Sequence, residues 1–108
     1  SGSGPAYVFL LAEALAAAGV AEGLPRDLAE RLARETIVGA GALLASSKKS
    51  PQELRRAVTP VGGTTQAALD VLMGGGGGLP ELVRQAVAAA ERRSRQLAAN
   101  SGNGGRER

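Results

Sequence analysis

Apolar positions along the chain fall at helical spacing, and polar punctuation between them divides it into five helices. The first runs from about Pro5 to Ala18, with Pro5 suited to the first helical turn and Gly19 to the C-terminal cap. Glu13 is the one charge between its ends. A helix apolar on nearly every side must be covered on nearly every side. Gly23-Leu24-Pro25 restarts the chain, Pro25 again fitting a first helical position, and a second helix runs to about Ser46. In its first half Leu28, Leu32 and neighbouring alanines face inward, while Asp27–Arg31 and Glu30–Arg34 have the spacing of i,i+4 ion pairs. Its second half, Thr36 to Ala45, carries no charge. Gly39 and Gly41 each weaken such a helix by about 0.8–1.0 kcal/mol relative to alanine, so they point to another backbone packing very close.

Lys48-Lys49 marks an exposed turn, and Ser50-Pro51-Gln52-Glu53 then forms a capping box with proline at the first helical position. This third helix ends near Ala57. A loop, Val58 to Thr65, delivers the chain to a fourth helix predicted over Thr65 to Met73. Gly74 to Gly78 read as a flexible connection. The last helix opens at Leu79-Pro80-Glu81 and extends to about Ala98, with an apolar stripe of Val83, Ala86, Val87, Ala90 and Leu97. Residues 100–108 are Ser, Gly, Asn and charges, a composition that predicts a disordered tail. No segment alternates as a strand would, so the fold class is all-α over residues 1–99, without internal repeats.

Composition sharpens this picture. With 108 residues the chain holds one core, and alanine and leucine supply most of it, Tyr7 and Phe9 being the only aromatics. Alanine lets helices approach closely but buries little area per residue, which favours oligomers. The absence of cysteine and histidine excludes disulfides, thiolate chemistry, the usual zinc sets and any imidazole base. No metal is expected. The apolar run from Ala6 follows no basic region and is too short for a bilayer, so a soluble, cytoplasmic protein without a membrane partner is expected. Ser1 begins the chain on a Gly/Ser-rich segment, which reads as a cut through a longer parent. Arg84, Arg92, Arg93, Arg95, Arg106 and Arg108 cluster late. They lack the interleaved aromatics of a nucleic-acid surface, and a solvated helix end accounts for them.

One segment looks chemical. Gly62-Gly63-Thr64-Thr65 places two glycines and two hydroxyls at the mouth of a helix, where free N–H groups and the dipole favour a carboxylate or phosphate. Thr64 alone reads equally as an N-cap and the glycines as a turn. No lysine follows them, so this is not a nucleotide-hydrolase phosphate loop. Glu13 is either a functional carboxylate or a group facing solvent or a partner. No acid pair, nucleophile–base pair or dinucleotide fingerprint is present, so no catalytic residue is assigned.

In order and spacing, these features resemble one family. Ser1-Gly2-Ser3-Gly4-Pro5-Ala6-Tyr7, Ala17-Ala18-Gly19-Val20, Gly23-Leu24-Pro25-Arg26, Ser50-Pro51-Gln52-Glu53-Leu54, Val58-Thr59 and Gly62-Gly63-Thr64-Thr65 together resemble the C-terminal domain of pyrroline-5-carboxylate reductase. The resemblance covers roughly residues 1 to 98. It implies a helical domain that interlocks with a second copy as a homodimer, with decamers in some members. It also implies an N-terminal Rossmann domain, absent from this chain, that binds NADPH or NADH. No cofactor is then expected on this piece, which alone would be inactive.

The family's reaction is hydride transfer to the C=N carbon of pyrroline-5-carboxylate, the last step of L-proline synthesis. Its substrate lies between the nicotinamide of one subunit and the glycine-threonine loop of the other. That implies Gly62, Gly63, Thr64 and Thr65 as substrate-carboxylate ligands here, with Thr65 as hydroxyl donor. Two departures stand out. Pro60-Val61 replaces the family's Ser-Pro, leaving Thr59 as the hydroxyl that would compensate, and extra glycines precede Leu79 where the family has Gly-Gly-Phe. The alternative is a free-standing helical self-association module without catalysis.

Overall fold

The computed structural model describes the backbone of residues 2–104 and the side chains of residues 2–100. Its elements are α1 (Gly4–Ala21), α2 (Arg26–Ser46), α3 (Pro51–Ala57), α4 (Thr64–Leu72) and α5 (Leu79–Gly104). Among the described residues there is no strand, so the all-α expectation holds. The chain divides into two compact units between Arg55 and Arg56.

In the first unit, the short turn after α1 folds α2 back against it. Their contact is made by small residues. Ala29 and Ala33 are 2% and 5% exposed, and a Cβ added at Gly19 would lie 3.2 Å from the Ala29 Cβ. Gly19 is therefore a contact position inside α1, not its cap. The helix runs to Ala21, three residues past the expected end at Ala18, and Gly23, at φ +105°, reverses the chain. Pro25 likewise stands just before α2 as its N-cap. Leu32, expected inward, is exposed, because the close approach at Ala29 and Ala33 seats the alanines and leaves the longer side chain beside the seam.

The expected ion pairs on α2 do not form. Among the described residues the ion pairs are Arg84–Glu81 and Arg95–Glu91, both on α5. Exposed i,i+4 pairs are worth only a few tenths of a kcal/mol, so spacing alone does not hold Asp27 to Arg31 or Glu30 to Arg34. Gly39 and Gly41 have open space within 4 Å of where a Cβ would stand, so the tight crossing expected there is not made within the first unit.

The capping box forms as the sequence predicts. The Ser50 amide donates to Glu53 Oε1 at 2.8 Å and the Glu53 amide to Ser50 Oγ at 3.1 Å.

In the second unit, Gly74 to Gly78 form a closed turn, against the expectation of a loose connection. The Gly78 amide donates to the Gly74 carbonyl at 3.0 Å and the Leu82 amide to the Gly78 carbonyl at 3.1 Å. Gly78 is buried and serves as the N-cap of α5. The connection is ordered because a run without side chains can fold its carbonyls and amides onto one another. α5 continues to Gly104, so residues 100–104, expected in a disordered tail, are helical. Helix already propagating through Leu97 to Ala99 extends at low cost over the polar residues beyond. The rest of the expected tail, residues 105–108, lies outside the described residues.

The first turn of α5 carries its own electrostatic clamp. Glu81 accepts from Arg84 Nε at 2.9 Å and Nη2 at 2.6 Å, and from Gln85 Nε2 at 2.9 Å. These bonds, Arg84's first, lower its pKa from 4.5 to about 2. The folded pKa lies below the unfolded one, so this contribution to stability is present above pH 4.5 and is lost as pH falls towards 2. A carboxyl NMR titration of Glu81 is expected to show its midpoint near 2, moving back towards 4.5 in Arg84→Ala. A wild-type midpoint near 4.5 would show that the clamp does not persist in solution.

What the chain buries is small beside what it exposes. Phe9 is 68% exposed and Val38 65%. By length and composition α1 could cross a membrane, with mean hydropathy 1.6 over 18 residues. It outruns the expected span because it starts at Gly4 and ends at Ala21. Glu13 near its middle would cost about 2.5–3.5 kcal/mol at a bilayer centre.

Candidate functional site: the loop at the start of α4

The loop before α4 is shaped by its glycines. The Gly63 amide donates to the Pro60 carbonyl at 3.2 Å, closing a four-residue turn. Gly62, its third residue, has φ +76°, the left-handed conformation that this position of a type II turn requires. Any side chain at residue 62 would therefore strain the turn although the space around it is open. Val61, at the turn's tip, is 100% exposed.

This turn delivers Gly63 as the N-cap of α4, with an extended ψ of −175°. The helix begins at Thr64, one residue earlier than expected, so Thr64 is the first helical residue and not the cap. The first bond of the helical ladder runs from the Ala67 amide to the Gly63 carbonyl at 3.2 Å. The amides of Thr64, Thr65 and Gln66 precede that ladder and have no helical acceptor. The cap supplies none from a side chain.

Both threonine hydroxyls lack a partner among the described residues. The contrast is Thr36, in mid-helix, whose Oγ1 donates to the Leu32 carbonyl at 2.8 Å. At the second helical position the carbonyl four residues back belongs to the turn, so Thr65 has no such internal outlet. Thr65 is half-buried and Thr64 exposed.

The electrostatics favour an anion. α2, α3 and α5 each carry an acidic residue in the first turn, Asp27, Glu53 and Glu81. α4, like α1, has none, so its positive end is uncompensated. The one acid on α4, Asp70, is turned to Gln66, whose Nε2 donates to its Oδ1 at 2.8 Å. An approaching carboxylate therefore meets open amides, two hydroxyls and no like charge in the first turn.

Of the residues predicted from sequence, Gly62, Thr64 and Thr65 come together at this mouth. The Gly63 amide is taken by the turn, leaving Gly63 a shaping role. Thr59 is half-buried, its amide donating to the Arg56 carbonyl at 3.1 Å, so it is tied to the end of α3. Gln66 is the residue that the motif reading misses. Its contribution is a backbone amide, which side-chain identity does not reveal; its signal is its place as third residue after a glycine cap. Glu13 lies elsewhere, in an open groove of about 800 Å³ between α1 and α2, with Phe9, Leu10, Arg26 and Arg34. Among the described residues no cluster of acids could hold a metal.

The family model "Pyrroline-5-carboxylate reductase dimerisation" matches residues 1–97. Pyrroline-5-carboxylate reductase of Pisum sativum is 50% identical over 97 residues, which are 90% of this chain and 35% of that protein. The Pseudomonas aeruginosa reductase is 47% identical over 102 residues, covering 94% of this chain and 37% of the relative. Among solved structures, Plasmodium falciparum pyrroline carboxylate reductase with NADP bound superposes with a TM-score of 0.82 at 36% identity. That match covers 90% of this chain and 38% of the other. The chain thus spans a little over a third of the length of the relatives it matches.

Proposed function

Because the chain belongs to the pyrroline-5-carboxylate reductase dimerisation family, we propose that it is the C-terminal dimerisation and substrate-carboxylate-binding domain of such a reductase. The parent enzyme reduces 1-pyrroline-5-carboxylate to L-proline with NADPH or NADH, as a soluble cytoplasmic protein. A hydride passes from the reduced nicotinamide to the ring C=N carbon, and the ring nitrogen takes a proton.

The described residues contain no strand, so they do not form the strand–turn–helix that seats a dinucleotide. This chain's part in the reaction is positional. The amides of Thr64, Thr65 and Gln66 and the Thr65 hydroxyl hold the substrate carboxylate, which fixes the ring for hydride delivery. The observation that carries this reading is the α4 mouth: open amides, unengaged hydroxyls and no first-turn acid. The isolated chain is expected to bind weakly and not to catalyse. Identity of 47–50% to named reductases favours this reading over a free-standing association module.

The self-association half rests on the exposed apolar surface. Phe9, Leu10 and Val38 are each about two-thirds exposed, apolar area that association would remove from water. Size-exclusion chromatography with light scattering is expected to give twice the chain mass of 10.8 kDa, or a higher multiple. A well-folded monomer at all concentrations would overturn the reading.

A further inference from the structure

We propose that Asp70 is a positioning residue for the substrate: it holds the Gln66 side chain forward along α4 and so keeps it from capping the open amides of Thr64 and Thr65. This rests on the carboxylate-binding reading above. Gln66 is half-buried and is the third residue after the Gly63 cap. From that position a side-chain oxygen can reach back over its own helix start, as in a capping box. The same molecule shows this at α3, where Glu53, third after Ser50, accepts from the Ser50 amide at 2.8 Å. At α4 the Gly63 amide already donates to the Pro60 carbonyl. A Gln66 oxygen turned back would therefore meet the amides of Thr64 and Thr65, the same donors that a carboxylate needs.

Gln66 is drawn the other way. Its Nε2 donates to Asp70 Oδ1 at 2.8 Å, one turn towards the C-terminus. An ionised carboxylate only accepts, so the bond takes the Gln66 nitrogen and carries the whole side-chain amide off the helix start. Asp70 stands in the last turn of α4, where the negative end of the dipole disfavours an acid, and aspartate is a poor helix former. Its bond to Gln66 gives that placement a purpose. α5 provides the contrast. Its third residue after the cap, Glu81, is also drawn forward, by Arg84 and Gln85, but its charge still answers the positive end of the helix. Neutral Gln66 leaves the α4 mouth with neither cap nor counter-charge, open to the substrate's carboxylate.

Steady-state kinetics of the intact parent reductase test this. Asp70→Ala releases Gln66 and is expected to raise the Michaelis constant for pyrroline-5-carboxylate about three- to tenfold, the factor by which a side-chain cap of ordinary strength competes with a ligand. The turnover number should change far less, because the competition acts on binding. Asp70→Asn keeps an acceptor oxygen and is expected to recover most of the loss. Adding Gln66→Ala to Asp70→Ala removes the competing oxygen but not the backbone amide, and is expected to reverse most of the rise. An exposed pair of this kind adds little to helix stability, so the variants fold, which thermal melts confirm. An unchanged constant for Asp70→Ala overturns the positioning, as does a double variant as impaired as Asp70→Ala. Equal losses in Asp70→Asn and Asp70→Ala overturn it too, since charge rather than the hydrogen bond would then be at work. If Asp70→Ala is silent while Thr65→Ala is impaired, only the positioning falls; if both are silent, the carboxylate site itself falls.

Discussion

Gly78→Ala is expected to lower stability by about 3 kcal/mol, at the upper end of what forced overpacking costs. A Cβ there would lie 2.6 Å from the carbonyl oxygens of both Gly74 and Leu72, and 3.0 Å from the Gly74 nitrogen. These are backbone atoms that no rotamer change can move. One carbonyl, Gly74's, is also the acceptor that closes the turn onto the Gly78 amide, so relieving the clash breaks the bond that holds the turn before α5. In a domain of this size the loss amounts to roughly 12–20 °C in melting temperature. Gly75→Ala is the matched control, because nothing lies within 4 Å of its Cβ position and its φ is one that alanine accepts. It is expected to be neutral or stabilising by about 0.4–1 kcal/mol through the unfolded chain. Urea titrations at one fixed protein concentration separate the two, since association contributes to apparent stability. Equal midpoints for Gly75→Ala and Gly78→Ala would show that the glycine run is the loose connection that its composition suggests.

That contrast marks where sequence reasoning ran out. Helix positions were legible because each start has a local chemical cause. Ser50 and Glu53 cap each other through their own side chains, and Pro5 and Pro80 sit where a missing amide costs nothing. Five glycines in a row carry no such information, since their order comes from backbone bonds that any sequence of the same shape would make. The seam between α1 and α2 was half legible. The apolar stripe located the face, but size rather than hydrophobicity decided which members met, so Ala29 and Ala33 are buried while Leu32 is not. The uncharged stretch Thr36–Ala45 was legible as a surface in need of a cover. Nothing in the first unit lies within 4 Å of the Cβ positions of Gly39 and Gly41 there, so the need is plain while the face stays open. At the candidate site, the motif found the hydroxyls and glycines. Which amides are open depended on where the ladder of α4 begins, one residue earlier than the pattern placed it.

Thr65→Ala in the intact parent reductase is expected to raise the Michaelis constant for pyrroline-5-carboxylate about ten- to a hundredfold, with a smaller change in kcat. A hydrogen bond to a charged group is worth about 1.5–3 kcal/mol, and each 1.4 kcal/mol is tenfold in affinity. The effect falls on the Michaelis constant because the carboxylate carries the same charge in the ground and transition states, so the lost bond is uniform binding. Among the two threonines the burden falls on Thr65. It is half-buried and has no carbonyl of its own helix to bond, whereas Thr64 is exposed. The amides contribute through the backbone and survive either substitution, so Thr64→Ala is expected to change the constant less than threefold. Thr65→Ser keeps the oxygen and should recover most of the loss, which a mere packing role for the threonine methyl would not do. An unchanged Michaelis constant for Thr65→Ala would take its hydroxyl out of the site and leave the carboxylate to the open amides of α4 alone.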